Sequence, residues 1–257
     1  MSTAATLDRP VHLLHEKKSR CTTPATRRCA TCRVSTLCLP GGLCEDDLQP
    51  LDSLLLRTRR IEAGQALFVE GDAFRFIYAV RSGTCKTAML RSDGREQVTG
   101  FHMPGEVMGL EGLAHGTHRI TATALEDSEV CLIPYHRLVA LTAATPGATD
   151  LVRHLMGQEM VRDHSIMVVL GLTEAGDRLA AFLLNLSERY ASRGWSPREF
   201  HLRMSRGDIA SFLGVKLETI SRAFSAFQRR GFLEVSGRHV RLTDLEGLKS
   251  AYGLRLR

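Results

Sequence analysis

Short apolar stretches separated by glycine-containing turns dominate residues 57 to 134. The apolar stretches read ALFVEG, FIYAV, KTAML, QVTGFH and SEVCLIP. The turns contain Gly64, Gly71, Gly83, Gly94 and Gly105. Short strands at even spacing, with turn signals between them, are typical of an antiparallel sandwich or barrel. The pattern therefore predicts a β-domain of the jelly-roll type.

The pattern becomes helical from about residue 149 to residue 170. Apolar side chains recur there at intervals of three, four and seven residues, and the positions are Met156, Met160, Met167 and Leu170. Such a stripe is expected where a helix packs against a partner helix. Asp163 falls on the same stripe, so we predict a dimerisation helix with a carboxylate in its seam. A second amphipathic helix is predicted at about 174 to 191, with an apolar side formed by Leu179, Phe182, Leu183 and Leu186.

Residues 204 to 231 have the pattern of two helices joined by a tight turn, and they read MSRGDIASFLGVKLETISRAFSAFQRRG. Ser205 and Asp208 have the spacing of a capping box, and Gly214 suits the end of the first helix. The apolar face of the second helix contains Leu217, Ile220, Phe224 and Phe227. Its exposed face near the N-terminus contains Glu218, Ser221 and Arg222.

This exposed face is where a helix-turn-helix protein presents base-reading side chains to the major groove. Arginine can donate two hydrogen bonds to guanine, and glutamate can accept one from cytosine. The candidate DNA-binding residues are Arg206, Lys216, Glu218, Thr219, Ser221, Arg222 and Arg238. A hairpin pattern follows, FLEV-SGR-HVRL, and its Arg238, His239 and Arg241 are predicted to lie over phosphates as a wing. The alternative is a helical hairpin with a solvated charged face.

Composition supports a nucleic-acid partner. The chain has 257 residues, enough for two domains, and a formal charge of +6. Residues 171 to 257 contain 15 Lys or Arg and 9 Asp or Glu, whereas residues 45 to 170 contain 12 and 17. A basic end beside an acidic middle indicates that the end contacts a polyanion. No apolar run has the length of a signal peptide or a membrane span, so we expect a soluble, cytoplasmic protein without a membrane partner.

Three of the seven cysteines lie in ten residues, CATCRVSTLC, at positions 29, 32 and 38. An odd number of cysteines in an intracellular chain argues against a disulfide framework and favours metal binding or redox chemistry. Three thiolates at this spacing suit either zinc or an iron–sulfur cluster, and both require a fourth ligand. From the spacing alone, both possibilities stay open.

The order of these parts resembles the Crp/Fnr superfamily of bacterial transcription regulators. Four segments closely resemble its oxygen-sensing FNR branch, also called ANR: RSGTCKTAM, EQVTGFHMPGEVMGLEG, RLAAFLLNLSERYASRGWSPREF and RGDIASFLGVKLETISR. The resemblance implies an α+β fold with four parts. These are an N-terminal cysteine-rich segment (1–45), a jelly-roll sensor domain similar to cyclic-nucleotide-binding domains (46–147), a dimerisation helix (148–171) and a winged helix-turn-helix domain (172–257).

The resemblance also implies a cofactor and partners. The family takes its fourth cluster ligand from a cysteine late in the β-domain, so Cys29, Cys32, Cys38 and Cys131 are the expected ligands of a [4Fe–4S] cluster. An intact cluster would favour a homodimer that binds double-stranded DNA at a TTGAT-type palindrome. Asp163 would make dimerisation depend on the cluster. Gly94, in RSDGREQ, matches a loop that contacts RNA polymerase. For Cys21, Cys44 and Cys85 we expect no ligation.

Three alternatives remain. Within the superfamily, a cyclic-nucleotide receptor would carry an Arg-Ser pair where this chain has His118 and Arg119, which argues against nucleotide binding. A DNA-binding protein with a structural zinc ion would share the basic C-terminal part but would not respond to oxygen. An iron–sulfur enzyme would need further catalytic motifs, and the sequence contains no phosphate-binding glycine loop, catalytic triad or second cluster motif.

Overall fold

The computed structural model describes residues 32, 35–38, 57–143 and 146–251. Within this part of the chain, eight strands form the β-domain: β1 (Arg57–Ile61), β2 (Ala66–Phe68), β3 (Phe76–Ser82), β4 (Cys85–Leu90), β5 (Glu96–His102), β6 (Val107–Met108), β7 (Thr121–Ala124) and β8 (Ser128–Pro134). They make two four-stranded antiparallel sheets with the orders β1-β8-β3-β6 and β2-β7-β4-β5. Two facing sheets of this connectivity are a jelly roll, so the predicted fold class is confirmed.

The interior of the jelly roll is apolar because alternate residues of its strands face inward. The residues fully enclosed between the sheets include Ile61, Val80, Cys85, Ala122 and Val130. Cys85 thus serves as a small buried side chain in this core. One short helix, α1 (Ser35–Cys38), precedes the β-domain in the chain, and a 3-10 turn (Leu110–Ala114) follows β6.

Three helices follow the last strand: α2 (Tyr135–Thr142), α3 (Pro146–Gly171) and α4 (Ala175–Ala191). The α3 and α4 helices agree with the helical patterns of the sequence, whereas α2 was not predicted. Leu138 of α2 and Leu151 and Leu155 of α3 pack with Ile77 and Ile133 of the β-domain. This packing fixes the start of α3 against the sheet. In the described residues, no helix combines the length and the apolar character needed to cross a membrane.

The C-terminal part is a winged helix-turn-helix. Its elements are β9 (Glu199–His201), α5 (Arg206–Phe212), α6 (Leu217–Arg229), β10 (Leu233–Ser236), β11 (His239–Leu242) and α7 (Leu245–Ala251), and the sheet order is β10-β11-β9. The predicted helix pair and hairpin are confirmed, and β9 and α7 are additional. Val98 and Phe101 of β5 belong to the same apolar core as Phe182 of α4 and Leu213. The DNA-binding part is therefore packed directly on the jelly roll.

Candidate functional site

Local sequence fixes the two helices of the helix-turn-helix. The Oγ atom of Ser205 accepts a hydrogen bond from the Asp208 amide at 3.0 Å, and the Asp208 carboxylate accepts one from the Ser205 amide at 2.9 Å. This capping box satisfies two amides that the first turn of α5 would leave unpaired. Gly214, with φ of 65°, takes the left-handed conformation between α5 and α6. Both features agree with the sequence prediction.

The recognition helix α6 has one buried and one exposed face. Ile220, Phe224 and Phe227 are buried in the core, and the exposed face presents Glu218, Ser221 and Arg222. Ser221 donates a hydrogen bond to the Leu217 carbonyl at 3.0 Å, which directs its hydroxyl along the helix. The half-buried Thr219 lies beside this face. The structure therefore brings the predicted base-reading side chains together on one accessible surface.

Lys216 occupies the N-cap position of α6, is exposed, and makes no side-chain capping hydrogen bond to the described helix. Its ammonium group extends from the end of the helix where the peptide dipoles leave positive charge. A phosphate at this position would satisfy both the ammonium group and the unpaired amides of the first turn. Lys216 is thus an exposed cation at the start of the recognition helix.

Arg206 lies apart from the exposed face. Its guanidinium carbon sits 3.1 Å from the centre of the Phe224 ring, and burial lowers the pKa of Arg206 to about 10. Its buried Nη1 atom has no hydrogen-bond partner in the described part of the chain. Cation–π packing of this kind joins α5 to α6. The position of Arg206 thus gives it a packing role that the sequence pattern did not indicate.

The wing is the turn between β10 and β11, which carries the exposed Arg238. The two other basic residues of the predicted wing are paired with carboxylates. His239 lies 3.0 Å from Glu199, and Arg241 bonds to Glu234 across the hairpin. Arg238 is consequently the member of this group that is best placed to meet a phosphate.

The α3 helix exposes an apolar stripe. Its predicted members are all exposed in the single chain, from 39% at Leu170 to 65% at Met167, and Asp163 is exposed among them. Val161 and Val168 are each 67% exposed and widen the stripe. Their seven-residue separation is a signal that the sequence analysis overlooked. Exposed apolar side chains at this spacing are typical of a helix that packs against a partner helix.

The cysteine site joins segments that are far apart in the sequence. Cys38 ends α1, Cys32 lies just before it, and Cys131 is in β8. Burial, with Cys32 and Cys131 adding to it, raises the pKa of Cys38 to about 12, and burial and Cys32 raise the pKa of Cys131. Cys38 and Cys131 also pack against the same apolar cluster. The structure therefore places these two predicted ligands at one site, with Cys32 just before α1, whereas Cys29, Cys21, Cys44 and Arg33, which follows Cys32, lie outside the described residues.

The chemistry of this donor set fits a metal group. Cys38 and Cys131 pack against the same apolar cluster as Ile77 and Leu138, so ionised thiolates there would lack water. Bound metal compensates this cost, because it stabilises the thiolate form directly. In the described residues, no three His, Cys, Asp or Glu side chains are arranged around a single ion.

Two further predicted positions lie in the β-domain. Gly94 is at the exposed tip of the β4–β5 hairpin, where its amide donates to the Arg91 carbonyl at 2.9 Å. His118 is buried, stacks on Phe68 at 3.8 Å, and lies 2.9 Å from the Glu111 carboxylate through Nδ1, whereas Arg119 is exposed. The histidine thus occupies interior space at the position where a nucleotide receptor would present its phosphate-binding pair.

Comparison with known proteins covers both parts of the chain. The family descriptions that match are a cyclic nucleotide-binding domain at residues 58–145 and a Crp-like helix-turn-helix domain at residues 177–251. The chain is 42% identical over 230 residues to the transcriptional regulatory protein btr of Bordetella pertussis, which covers 90% of this chain and 95% of that relative. It is 41% identical over 225 residues to the fumarate and nitrate reduction regulatory protein of Escherichia coli K12, covering 88% and 90%. The solved structure of FixK2 from Bradyrhizobium japonicum superposes with a TM-score of 0.69 at 31% identity, covering 76% of this chain and 96% of that one.

Proposed function

Because the chain belongs to the Crp/Fnr family of transcription regulators, which are not enzymes, we propose that it is an oxygen-responsive member acting in the cytoplasm. In this proposal an oxygen-labile [4Fe–4S] cluster promotes dimerisation and binding to TTGAT-type palindromes, and so controls anaerobic gene expression. The observation that supports it most strongly is that Cys38 at the end of α1 and Cys131 of β8 pack against the same apolar cluster.

The ligands in this proposal are Cys29, Cys32, Cys38 and Cys131. When bound, the cluster supplies chemistry that reacts with oxygen. The protein's own contribution is to hold Cys131 on a rigid strand and to bring α1 against that strand through Cys38. The α1 helix is thereby attached to the sensor domain beside α3. Without the metal, Cys38 and Cys131 would be neutral thiols, because burial raises the pKa of each.

Zinc is the second candidate for this site. A single zinc ion needs every sulfur at about 2.3 Å from one atom. We propose the cluster in preference to zinc because the chain is similar to relatives named fumarate and nitrate reduction regulatory protein. Cyclic nucleotide is a poor fit, because the buried His118 and the exposed Arg119 replace the phosphate-binding pair.

The proposed output is a dimer on DNA. Two copies joined through the α3 stripe present two α6 helices about one turn of DNA apart, roughly 34 Å. Arg222 and Glu218 then read bases together with Ser221, while Lys216, Thr219 and Arg238 contact the backbone. Two copies of Asp163 meet in the seam, where desolvation and repulsion keep the dimer close to its threshold. A weakly favoured dimer suits a switch, because modest stabilisation then shifts most of the population.

RNA polymerase is the further partner in this proposal. The hairpin tip at Gly94 is exposed and projects from the sheet, together with the exposed Leu90. An exposed hairpin tip is accessible to a second protein. Its role as a polymerase contact follows from family resemblance.

A cysteine replacement tests the ligand assignment. Cys131→Ser should abolish iron and sulfide binding after anaerobic reconstitution, because it leaves a site with three thiolates. Cys85→Ser is the matched control, since Cys85 is buried in the other core of the same domain and should not affect cluster content. Normal iron and sulfide content in Cys131→Ser would show that the assignment is wrong.

A further inference from the structure

A buried carboxylate lies where the sensor domain meets the helices that follow it. Glu106, just before β6, has a side chain only 10% exposed. It accepts hydrogen bonds from Arg189 at 2.6 and 3.0 Å and from Arg193 at 2.6 Å, and its Oε2 lies 4.0 Å from Arg162. Arg189 is in the last turn of α4, Arg193 follows that helix, and Arg162 is in α3. One side chain thus connects the jelly roll with both helices.

The charge on Glu106 is stable in this environment. Burial by itself would raise the pKa of Glu106, but Arg189, Arg162 and Arg193 outweigh burial and hold the pKa far below its usual range. The same arginines also bond to the backbone of the sensor domain. Arg189 donates to the Phe101 carbonyl at 2.6 Å, and Arg193 donates to the Pro104 carbonyl at 2.9 Å. The end of α4 is therefore attached to β5 and the β5–β6 loop by several hydrogen bonds. These bonds depend on the conformation of the loop.

The other side of this loop contacts the cysteine segment. Gly105 has φ of 90°, and a Cβ atom built on it would lie 2.5 Å from the Cβ of Leu37. Only glycine lets Leu37, which precedes Cys38, pack so closely on the loop. The Leu37 carbonyl also accepts a hydrogen bond from Gln158 of α3 at 3.4 Å. Leu37 therefore covers the residue next to Glu106.

We propose that Glu106 is a positioning residue that couples the cysteine segment to the DNA-binding domain. With Leu37 packed on Gly105, the loop holds Glu106 away from water in the position that binds Arg189 and Arg193, and α4 keeps one orientation. When Leu37 leaves, water reaches the carboxylate and weakens the ion pairs, since charge attraction falls as the local dielectric rises. The end of α4 is then released. This coupling rests on the proposed function only in that the cluster is what holds Leu37 in place.

A second interdomain ion pair provides a matched control. The Lys86 ammonium group of β4 lies 2.9 Å from the Asp208 carboxylate of α5, and both side chains are largely buried. This pair also joins the sensor and DNA-binding domains, but it contacts neither Gly105 nor Leu37 among the described residues. Disrupting the Lys86–Asp208 ion pair should loosen the domain interface without altering the contacts that connect Leu37 to α4 through Glu106.

Hydrogen exchange of the full chain, followed by mass spectrometry, tests the coupling at residues 189 to 193. Leu37→Ala should speed exchange there by about fivefold or more, the usual lower range for coupling between sites. When Leu37→Ala is combined with Glu106→Gln, it should speed exchange at these residues little further. When it is combined with Lys86→Gln, it should speed exchange as much as it does in the wild-type protein. Unchanged exchange in Leu37→Ala, or a full additional effect in Glu106→Gln, would overturn the proposal. If Glu106→Gln does not fold, Arg193→Lys takes its place in the comparison with Leu37→Ala. Arg193→Lys keeps the positive charge but loses the geometry of the hydrogen bond to the Pro104 carbonyl.

The same proteins separate this inference from the proposed function. Wild-type protein with and without its cluster is compared for DNA affinity. Equal affinities would refute cluster-dependent regulation, while the exchange results for Leu37→Ala would still decide the coupling. Conversely, cluster-dependent DNA binding with no response of α4 to Leu37→Ala would refute the coupling alone.

Discussion

His102 should make the stability of the protein sensitive to mild acid. The imidazole ends β5 and is only 3% exposed. Its Nδ1 lies 3.3 Å from Arg162 and its Nε2 lies 3.1 Å from the Thr87 hydroxyl. Because the guanidinium can only donate, Nδ1 accepts and the proton is assigned to Nε2. Burial, and next the charge of Arg162, lower the pKa of His102 to about 3, with Arg189 acting in the same direction and Glu106 opposing.

The sign and size of the effect follow from proton linkage. A histidine in the unfolded chain has a pKa of about 6.5. Between about pH 6.5 and pH 3, the unfolded chain binds a proton at this residue and the folded chain does not, so stability falls as the pH falls. From pH 7 to pH 5 the loss from this single group is about 2 kcal/mol, at about 1.4 kcal/mol per pH unit once the unfolded imidazole is charged.

Urea unfolding of aerobically purified protein, followed by circular dichroism at pH 7 and pH 5, measures this loss. His102→Gln removes the titrating group and keeps a hydrogen-bonding side chain, so the difference in free energy of unfolding between the two pH values should shrink by about 2 kcal/mol. The exposed His136 provides the control variant, His136→Gln, which should keep the wild-type difference. An equal pH dependence in wild type and His102→Gln would refute the buried, neutral state of His102.

Three further predictions concern dimerisation and DNA recognition. Asp163→Ala should remove the repulsion in the seam, so the variant should sediment as a dimer in air. Asp150→Ala, which lies outside the stripe, should not. A monomeric Asp163→Ala would show that Asp163 does not face its partner. Arg222→Ala should cost about 1–3 kcal/mol of binding and relax preference at one guanine. Lys216→Ala should instead weaken binding to all sequences and reduce its salt dependence, as measured by fluorescence anisotropy on single-base variants of the site; unchanged base preference in Arg222→Ala would contradict its assignment.

Local patterns predicted much of the fold. Glycine spacing marked the turns of the jelly roll, and Ser205 with Gly214 marked the limits of the first DNA-binding helix. These signals succeed because each depends on neighbouring residues alone. The α2 helix and β9 escaped notice, since eight and three residues contain too little periodicity. They form because tertiary packing, such as that of the fully buried Leu138, outweighs weak local preference.

The contacts between the domains were beyond sequence reasoning for a different reason. Glu106 and Arg189 are 83 residues apart, and no spacing rule relates two charges at such a separation. Arg206 resembled any exposed arginine of a DNA-binding helix until its position over Phe224 was known. The approach of Cys131 to Cys38 was likewise expected through family resemblance and not through spacing. Residues paired by the tertiary fold carry no local signature of their partners.

Exposure of the reconstituted protein to oxygen tests the regulatory mechanism most directly. The protein is purified and reconstituted without oxygen, and then mixed with increasing volumes of air-saturated buffer. Visible absorbance reports cluster content, and anisotropy of a labelled TTGAT palindrome reports DNA binding in the same samples. We predict that wild-type absorbance and DNA affinity fall together. DNA affinity that stays constant while the absorbance disappears, or a colourless protein that binds the palindrome equally well with and without oxygen, would contradict the proposed oxygen response.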